Sequence, residues 1–250
     1  MSVTGIIALL SEVLGAIAVT MLMTLNPRFK QHRPITFLFP KRESMAAAIV
    51  AVGVFVIGFF IFRGPTPAPF TRLTESTPTL EAAIQHLTAA GAGVLLVVIA
   101  LMYRRQPLRS AGWNRSLFMP ALQIGIGIIM LTTFLSGKLS LLMDGISQDE
   151  STALPVITLL ALAEETIFRG YIQPRFESRI GKIPGWLLTS VLFALWQIPR
   201  LLGEPTQTIL IGVGLGLVQG LLAGWMMQKS HHVLAPGIYR AISEWLVFIG

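Results

Sequence analysis

The chain has 250 residues, 53% of them hydrophobic and 12% charged, with a formal net charge of +7 and no cysteine. Soluble domains carry about 25% charged residues, so a chain this apolar needs lipid as part of its solvent. Disulfide and thiolate chemistry are excluded, and the basic residues lie between apolar runs rather than on one soluble face, which argues against a nucleic-acid partner.

A crossing of ~30 Å of hydrocarbon takes about 20 mostly apolar residues. Spans are expected at roughly 5–25, 45–62, 80–103, 117–135, 154–172, 185–201, 207–228 and 233–249, two of them short enough to tilt or re-enter. The chain begins Met1-Ser2-Val3-Thr4-Gly5, without a positive stretch. Its first run contains Glu12 and reaches Asn26-Pro27-Arg28 without a small-residue cleavage site, so it reads as a retained span. Pro65, Pro67, Pro69 and Pro78 predict an extended, irregular loop, and residues 144–150 form an acidic loop with Asp144, Asp149 and Glu150. In the seventh span Gly212, Gly216, Gly220 and Gly224 recur every fourth residue, a smooth stripe that lets a neighbouring helix approach closely. Trp113, Trp186, Trp225, Trp245 and Tyr103 fall near the expected membrane surfaces and suit interfacial anchoring. The fold class is an all-α polytopic membrane helical bundle of about eight transmembrane helices, one integral membrane domain over residues 1–250 with no linker inside it.

Loop charge orients the bundle. Alternate loops hold Arg28, Lys30, Arg33, Lys41, Arg42, then Arg104, Arg105, Arg109, Arg115, then Arg175, Arg179, Lys182, and finally Lys229. The opposite loops hold only Arg63, Arg72, Lys138 and Arg200. The rich set belongs in the cytoplasm, which puts both termini on the non-cytoplasmic side of a plasma-membrane protein and favours an even number of spans.

Ionisable side chains within spans cost roughly 2.5–3.5 kcal/mol each on insertion scales, yet the fifth span reads Ala161-Leu162-Ala163-Glu164-Glu165-Thr166-Ile167-Phe168-Arg169-Gly170. Glu165 and Arg169 are i and i+4 and can pair on one face. Glu164 points about 100° away, leaving it for another partner or for work as a general base. Glu12 in the first span and the i, i+4 pair Arg240 and Glu244 in the eighth add charge. Together these groups fit a closed polar network, a residual hydrolytic site or an ion pathway. The four histidines are His32 in a basic loop, His86 near the outer end of the third span, and the adjacent His231 and His232 in a cytoplasmic turn. His86 reads as a satisfied or interfacial histidine, with haem or pigment ligation as the alternative. His231 and His232 diverge on a helix and do not chelate together.

Glu-Glu-x-x-x-Arg followed by Gly-Tyr-x-Gln resembles the first motif of the CPBP family, the CAAX proteases and bacteriocin-processing (Abi) enzymes, over about residues 150–250. Residues 1–150 match only as membrane helices. The resemblance implies an intramembrane endopeptidase core with Glu164, Glu165 and Arg169 as its retained motif. Two histidines would bind zinc or activate water and stabilise the oxyanion. The second motif, Phe-x-x-x-His, falls on Phe193 to Gln197. The third, His-x-x-x-Asn or Asp, is aligned on Tyr239 and Ser243. Gln197 would sit at a depth similar to Glu165, ~18 Å and ~20 Å from their helix ends, and Tyr239 shallower at ~9 Å, at 1.5 Å per residue. Gln is a poor zinc ligand and no base, and tyrosine an uncommon ligand.

The expectation is therefore a CPBP-like membrane protein without proteolytic activity, without metal or other cofactor, acting as a binding or scaffold subunit. Its partners would be membrane lipids and other membrane protein subunits. The alternatives are an active CAAX-type endopeptidase using Glu164 and Glu165, with zinc in that case only, and a transporter or channel, which lacks detectable inverted repeats or paired broken helices.

Overall fold

A computed structural model of the chain describes residues 3–31, 35–63 and 78–249. The proline-rich loop and His32 lie outside them. Eight main helices follow one another: α1 Val3–Met23, α2 Pro40–Arg63, α3 Pro78–Tyr103, α4 Phe118–Leu135, α5 Gln148–Ile180, α6 Lys182–Trp196, α7 Thr206–Ser230 and α8 Leu234–Phe248. Each overlaps one of the stretches expected as spans. Helices satisfy every interior backbone group within one segment, which is what hydrocarbon demands. Large apolar side chains stand outward on them, such as Ile49, Phe60, Met130 and Leu210, each about 70% exposed in the isolated chain. Five stretches are long and apolar enough to cross a membrane: Pro40–Arg63, Ile84–Tyr103, Arg115–Leu135, Gln148–Ile180 and Thr206–Ser230. The chain is a multi-pass helical membrane protein. Helices α6 and α8 have 15 residues each, ~22 Å at 1.5 Å per residue, and are the two short ones.

The long α5 is the axle of the bundle. Its first half packs on α3 and α8, its second half on α2 and α6. It starts earlier than the apolar pattern indicates, at Gln148, because Ser147 and Glu150 form a capping box: Glu150 N–H donates to Ser147 Oγ (3.2 Å) and Ser147 N–H to Glu150 Oε2 (2.7 Å). Two apolar cores flank it. One joins Val54, Val97, Phe168, Phe193 and Trp196, and the other joins Ile124, Ile128, Leu222, Met226 and Trp245.

The glycine stripe of α7 is the seam with α6. A Cβ on Gly220 would lie 3.0 Å from the Ser190 carbonyl oxygen, and one on Gly224 would lie 2.6 Å from the Trp186 ring. Helix α7 ends where His231 takes a left-handed conformation (φ 51) and its N–H reaches Met227 O at 2.9 Å. One cavity of about 280 Å³ is lined by Ile35, Arg109, Lys182 and His231, one residue from each loop of the Lys/Arg-rich set. All four loops thus meet at one end of the bundle, as alternating spans require.

Candidate functional site

Glu164 and Glu165 close the first α-helical part of α5, which then widens into a π-helical turn over Thr166–Ile172 before resuming at Gln173–Ile180. Such turns occur frequently at functional sites. Here every residue of the turn is buried. Gly170 lies against the backbone carbonyl of Ala111, where any side chain would collide. The wide turn lets α5 pass the 3-10 segment Leu108–Ala111 while its two glutamates still face the bundle interior.

Both carboxylates are almost wholly buried, Glu164 at 2% and Glu165 at 0% exposure. Arg240 on α8 is the hub between them. Its Nη2 donates to Glu164 Oε2 (2.8 Å) and to Glu244 Oε1 (2.7 Å), and its Nη1 to Glu165 Oε1 (3.2 Å). The other oxygen of Glu164 accepts from Trp196 Nε1 at 2.8 Å and lies 3.0 Å from His86 Nε2. Glu165 Oε2 is 3.4 Å from Arg169 Nε, an ion pair without a hydrogen bond. Among the described residues the three Arg169 nitrogens have no hydrogen-bond partner. Its guanidinium rests instead on the Phe193 ring, 4.0 Å from the centroid, with that of Arg240 at 4.7 Å from the same ring. The phenylalanine of the second motif is therefore a cation–π platform for both arginines.

Of three expected relations, two gain their partners and one is corrected. Glu164, turned away from Arg169 as expected, meets other partners, three of them from three helices. His86 is a satisfied histidine, one of the two readings expected, and its partner is Glu164. The pair on α8 that faces the glutamates is Arg240 and Glu244, one residue later than the pair aligned from sequence. One residue is about 100° of helix, and it turns Tyr239 and Ser243 toward α1, where both hydrogen-bond the Glu12 carboxylate. Gln197 follows the last residue of α6. It is buried, with its Nε2 3.4 Å from Phe193 O and its side chain against Gly216. Trp196, its neighbour, is the residue that reaches Glu164. No sequence signal marked Trp196 or His86 for this role: their partner lies 32 and 78 residues away.

Among the described residues no three His, Asp or Glu side chains gather as a metal-binding group. Three carboxylates, two guanidinium groups and one imidazole instead form a closed set in which each acid faces a cation or N–H donor. His232, in the turn before α8, is separate from it. Leu234 N–H donates to its Nδ1 (3.1 Å), and the rings of Trp113 and Phe118 meet it edge-on at 5.7 and 6.0 Å. Burial pushes its pKa down to about 4, so it is neutral near pH 7.

Residues 150–246 match the family model described as type II CAAX prenyl endopeptidase Rce1-like. Comparison with curated proteins and with solved structures gave no match.

Proposed function

Residues 150–246 carry an Rce1-like domain of the CPBP family within a multi-pass membrane protein, and from that premise we propose that this chain uses the domain as a binding scaffold and not as a protease. It would sit in the plasma membrane with the Lys/Arg-rich loops in the cytoplasm, where it would hold other membrane proteins or lipids. The observation that carries this reading is the occupation of Glu164. A general base needs an oxygen turned toward a water or a substrate. Both oxygens of Glu164 already accept from Arg240, Trp196 and His86, and hydrogen bonds from a guanidinium are among the stronger ones. Neither cavity at the loop-rich end is lined by Glu164 or Glu165.

The donor set also does not suit zinc. Zinc sites take imidazole, thiolate or carboxylate in a tetrahedral group, and here two carboxylates share one arginine while Gln197 turns to a backbone carbonyl.

A second reading is favoured by one contact. His86 Nε2 at 3.0 Å from Glu164 is a carboxylate–imidazole pair of the kind that orients a general base, supplied from α3 in place of Gln197. The two readings part on one assay. The full-length protein in lipid nanodiscs, offered a prenylated, membrane-associated peptide, is expected to release no fragment detectable by mass spectrometry. Cleavage that disappears in both Glu164→Gln and His86→Gln would overturn the scaffold reading and install the second.

A further inference from the structure

We propose that a cavity at the loop-rich end binds the phosphate of an anionic phospholipid headgroup. The cavity has a volume of about 470 Å³ and is lined by Leu108, Arg109, Trp113, Arg115, Phe118 and His232 among others. Its composition is one-sided: two arginines, no carboxylate, and a floor of three rings. Arg109 and Arg115 are exposed and belong to none of the ion pairs formed among the described residues. A planar guanidinium fork matches phosphate oxygens two at a time. The floor is rigid. Trp113 is held by its Nε1 to Thr166 Oγ1 at 3.1 Å, and the Trp113, Phe118 and His232 rings pack edge to face.

Depth selects the source of the phosphate. Arg115 and Phe118 open the membrane-length stretch Arg115–Leu135, so the cavity lies where that stretch enters the bilayer. Leu108 (62% exposed) and Phe118 (43%) stand beside it, and apolar side chains at that level face lipid rather than water. A headgroup seated on the arginines would leave its acyl chains along the outer face of α4, where Met119, Ile126 and Met130 are exposed. Basic pockets of this kind on the cytoplasmic side of helical bundles are a recognised chemistry for lipid headgroups, at about tenfold in affinity or less per cation.

The test is native mass spectrometry of the full-length protein in detergent with added phosphatidylglycerol, phosphatidylcholine or glycerol 3-phosphate. Phosphatidylglycerol is expected to bind more tightly than phosphatidylcholine. Arg109→Gln with Arg115→Gln should weaken it about 30-fold, and Arg115→Gln alone about fivefold. Arg42→Gln, an exposed cation outside the cavity, should leave it unchanged. Both cavity arginines are exposed, so unfolding midpoints of these variants should equal that of the parent. Equal binding of the two lipids, or equal loss in Arg42→Gln, would overturn the site. Displacement of phosphatidylglycerol by equimolar glycerol 3-phosphate would assign it to a soluble phosphate and overturn the lipid.

Discussion

Two buried ionic clusters stand at different heights in the bundle, and their hubs carry opposite charge. In the interior one cation, Arg240, serves three carboxylates: Glu164, Glu165 and Glu244. Near the loop-rich end one carboxylate, Glu43, serves two cations. Arg104 donates to it from Nε (3.1 Å) and Nη2 (2.7 Å), and Arg175 Nε lies 3.4 Å from its other oxygen. Arg175 is fully buried but well provided. It donates to the Ser110 carbonyl (3.1 Å), the Tyr171 carbonyl (2.9 Å) and Gln106, and it lies 3.6 Å above the Tyr171 ring. Arg104 keeps a quarter of its side chain in solvent. The end cluster thus has backbone carbonyls and water to fall back on, whereas the interior cluster meets solvent only at its edge, through Glu244 and His86, while Glu164, Glu165, Arg169 and Arg240 are buried. The same ion-pair chemistry should carry very different energies in the two places.

The largest effect is expected at the interior hub. Arg240→Ala leaves two buried carboxylates without their shared cation, and breaking such a buried pair costs about 3–5 kcal/mol. Denaturant unfolding of the purified protein should show a loss of that order. Replacing Arg240 with Met in a Glu164→Gln, Glu165→Gln background should cost much less, a coupling that a double-mutant cycle reads directly. An Arg240→Ala protein within about 0.5 kcal/mol of the parent would break the contrast between the clusters.

Next in size is a pH effect confined to the loop-rich end. His232 has a folded pKa of about 4 against an ordinary 6.5, because burial disfavours its cation and its Nδ1 is already accepting from Leu234 N–H. Since the folded value is the lower one, the unfolded chain binds more protons between the two. Stability is therefore complete above pH 6.5 and falls as the pH drops toward 4, by about 3 kcal/mol in all. His232→Phe should flatten that slope. A parent protein whose stability is level from pH 7 to 4 would contradict it.

The smallest effect is expected from Arg104→Ala. Its side chain is partly solvated and Glu43 retains Arg175, so the loss should be about 1 kcal/mol or less. A loss as large as that of Arg240→Ala would mean that the end cluster is as sealed as the interior one.

Much of this molecule was legible in its residues, and the illegible parts share a cause. Apolar run length located all eight helices, and the four-residue glycine period located the α6–α7 seam. Glu164, Glu165 and Arg169 stood out because charge in an apolar run is costly wherever it falls. What failed was anything decided by rotation or by distant partners. Tyr239 and Arg240 are adjacent letters, but only their helical phase decides which faces the glutamates and which faces Glu12. His86 read as satisfied or interfacial, but its partner had no name because it comes 78 positions later. The π turn at Thr166–Ile172 shifts phase again and is marked by no composition beyond Gly170. Glu43 sits beside Lys41 and Arg42 with no local mark of its role, yet it is 3% exposed. The Ser147-x-x-Glu150 capping box was a readable signal, overridden by the acidity of its surroundings.

The central claim is that Glu164 is a structural member of a closed cluster and not a catalytic group. Catalytic carboxylates are often held at the expense of stability, so neutral isosteres there leave stability unchanged or raised. A structural carboxylate bound to a buried arginine behaves in the opposite way. The unfolding free energy of Glu164→Gln, measured beside the parent at pH 7.5 in the same detergent, is the most direct discriminator. The account predicts a fall of about 2 kcal/mol or more, from the stranded charge of Arg240 and the weakened acceptor for Trp196 and His86. An equal or higher stability would contradict it.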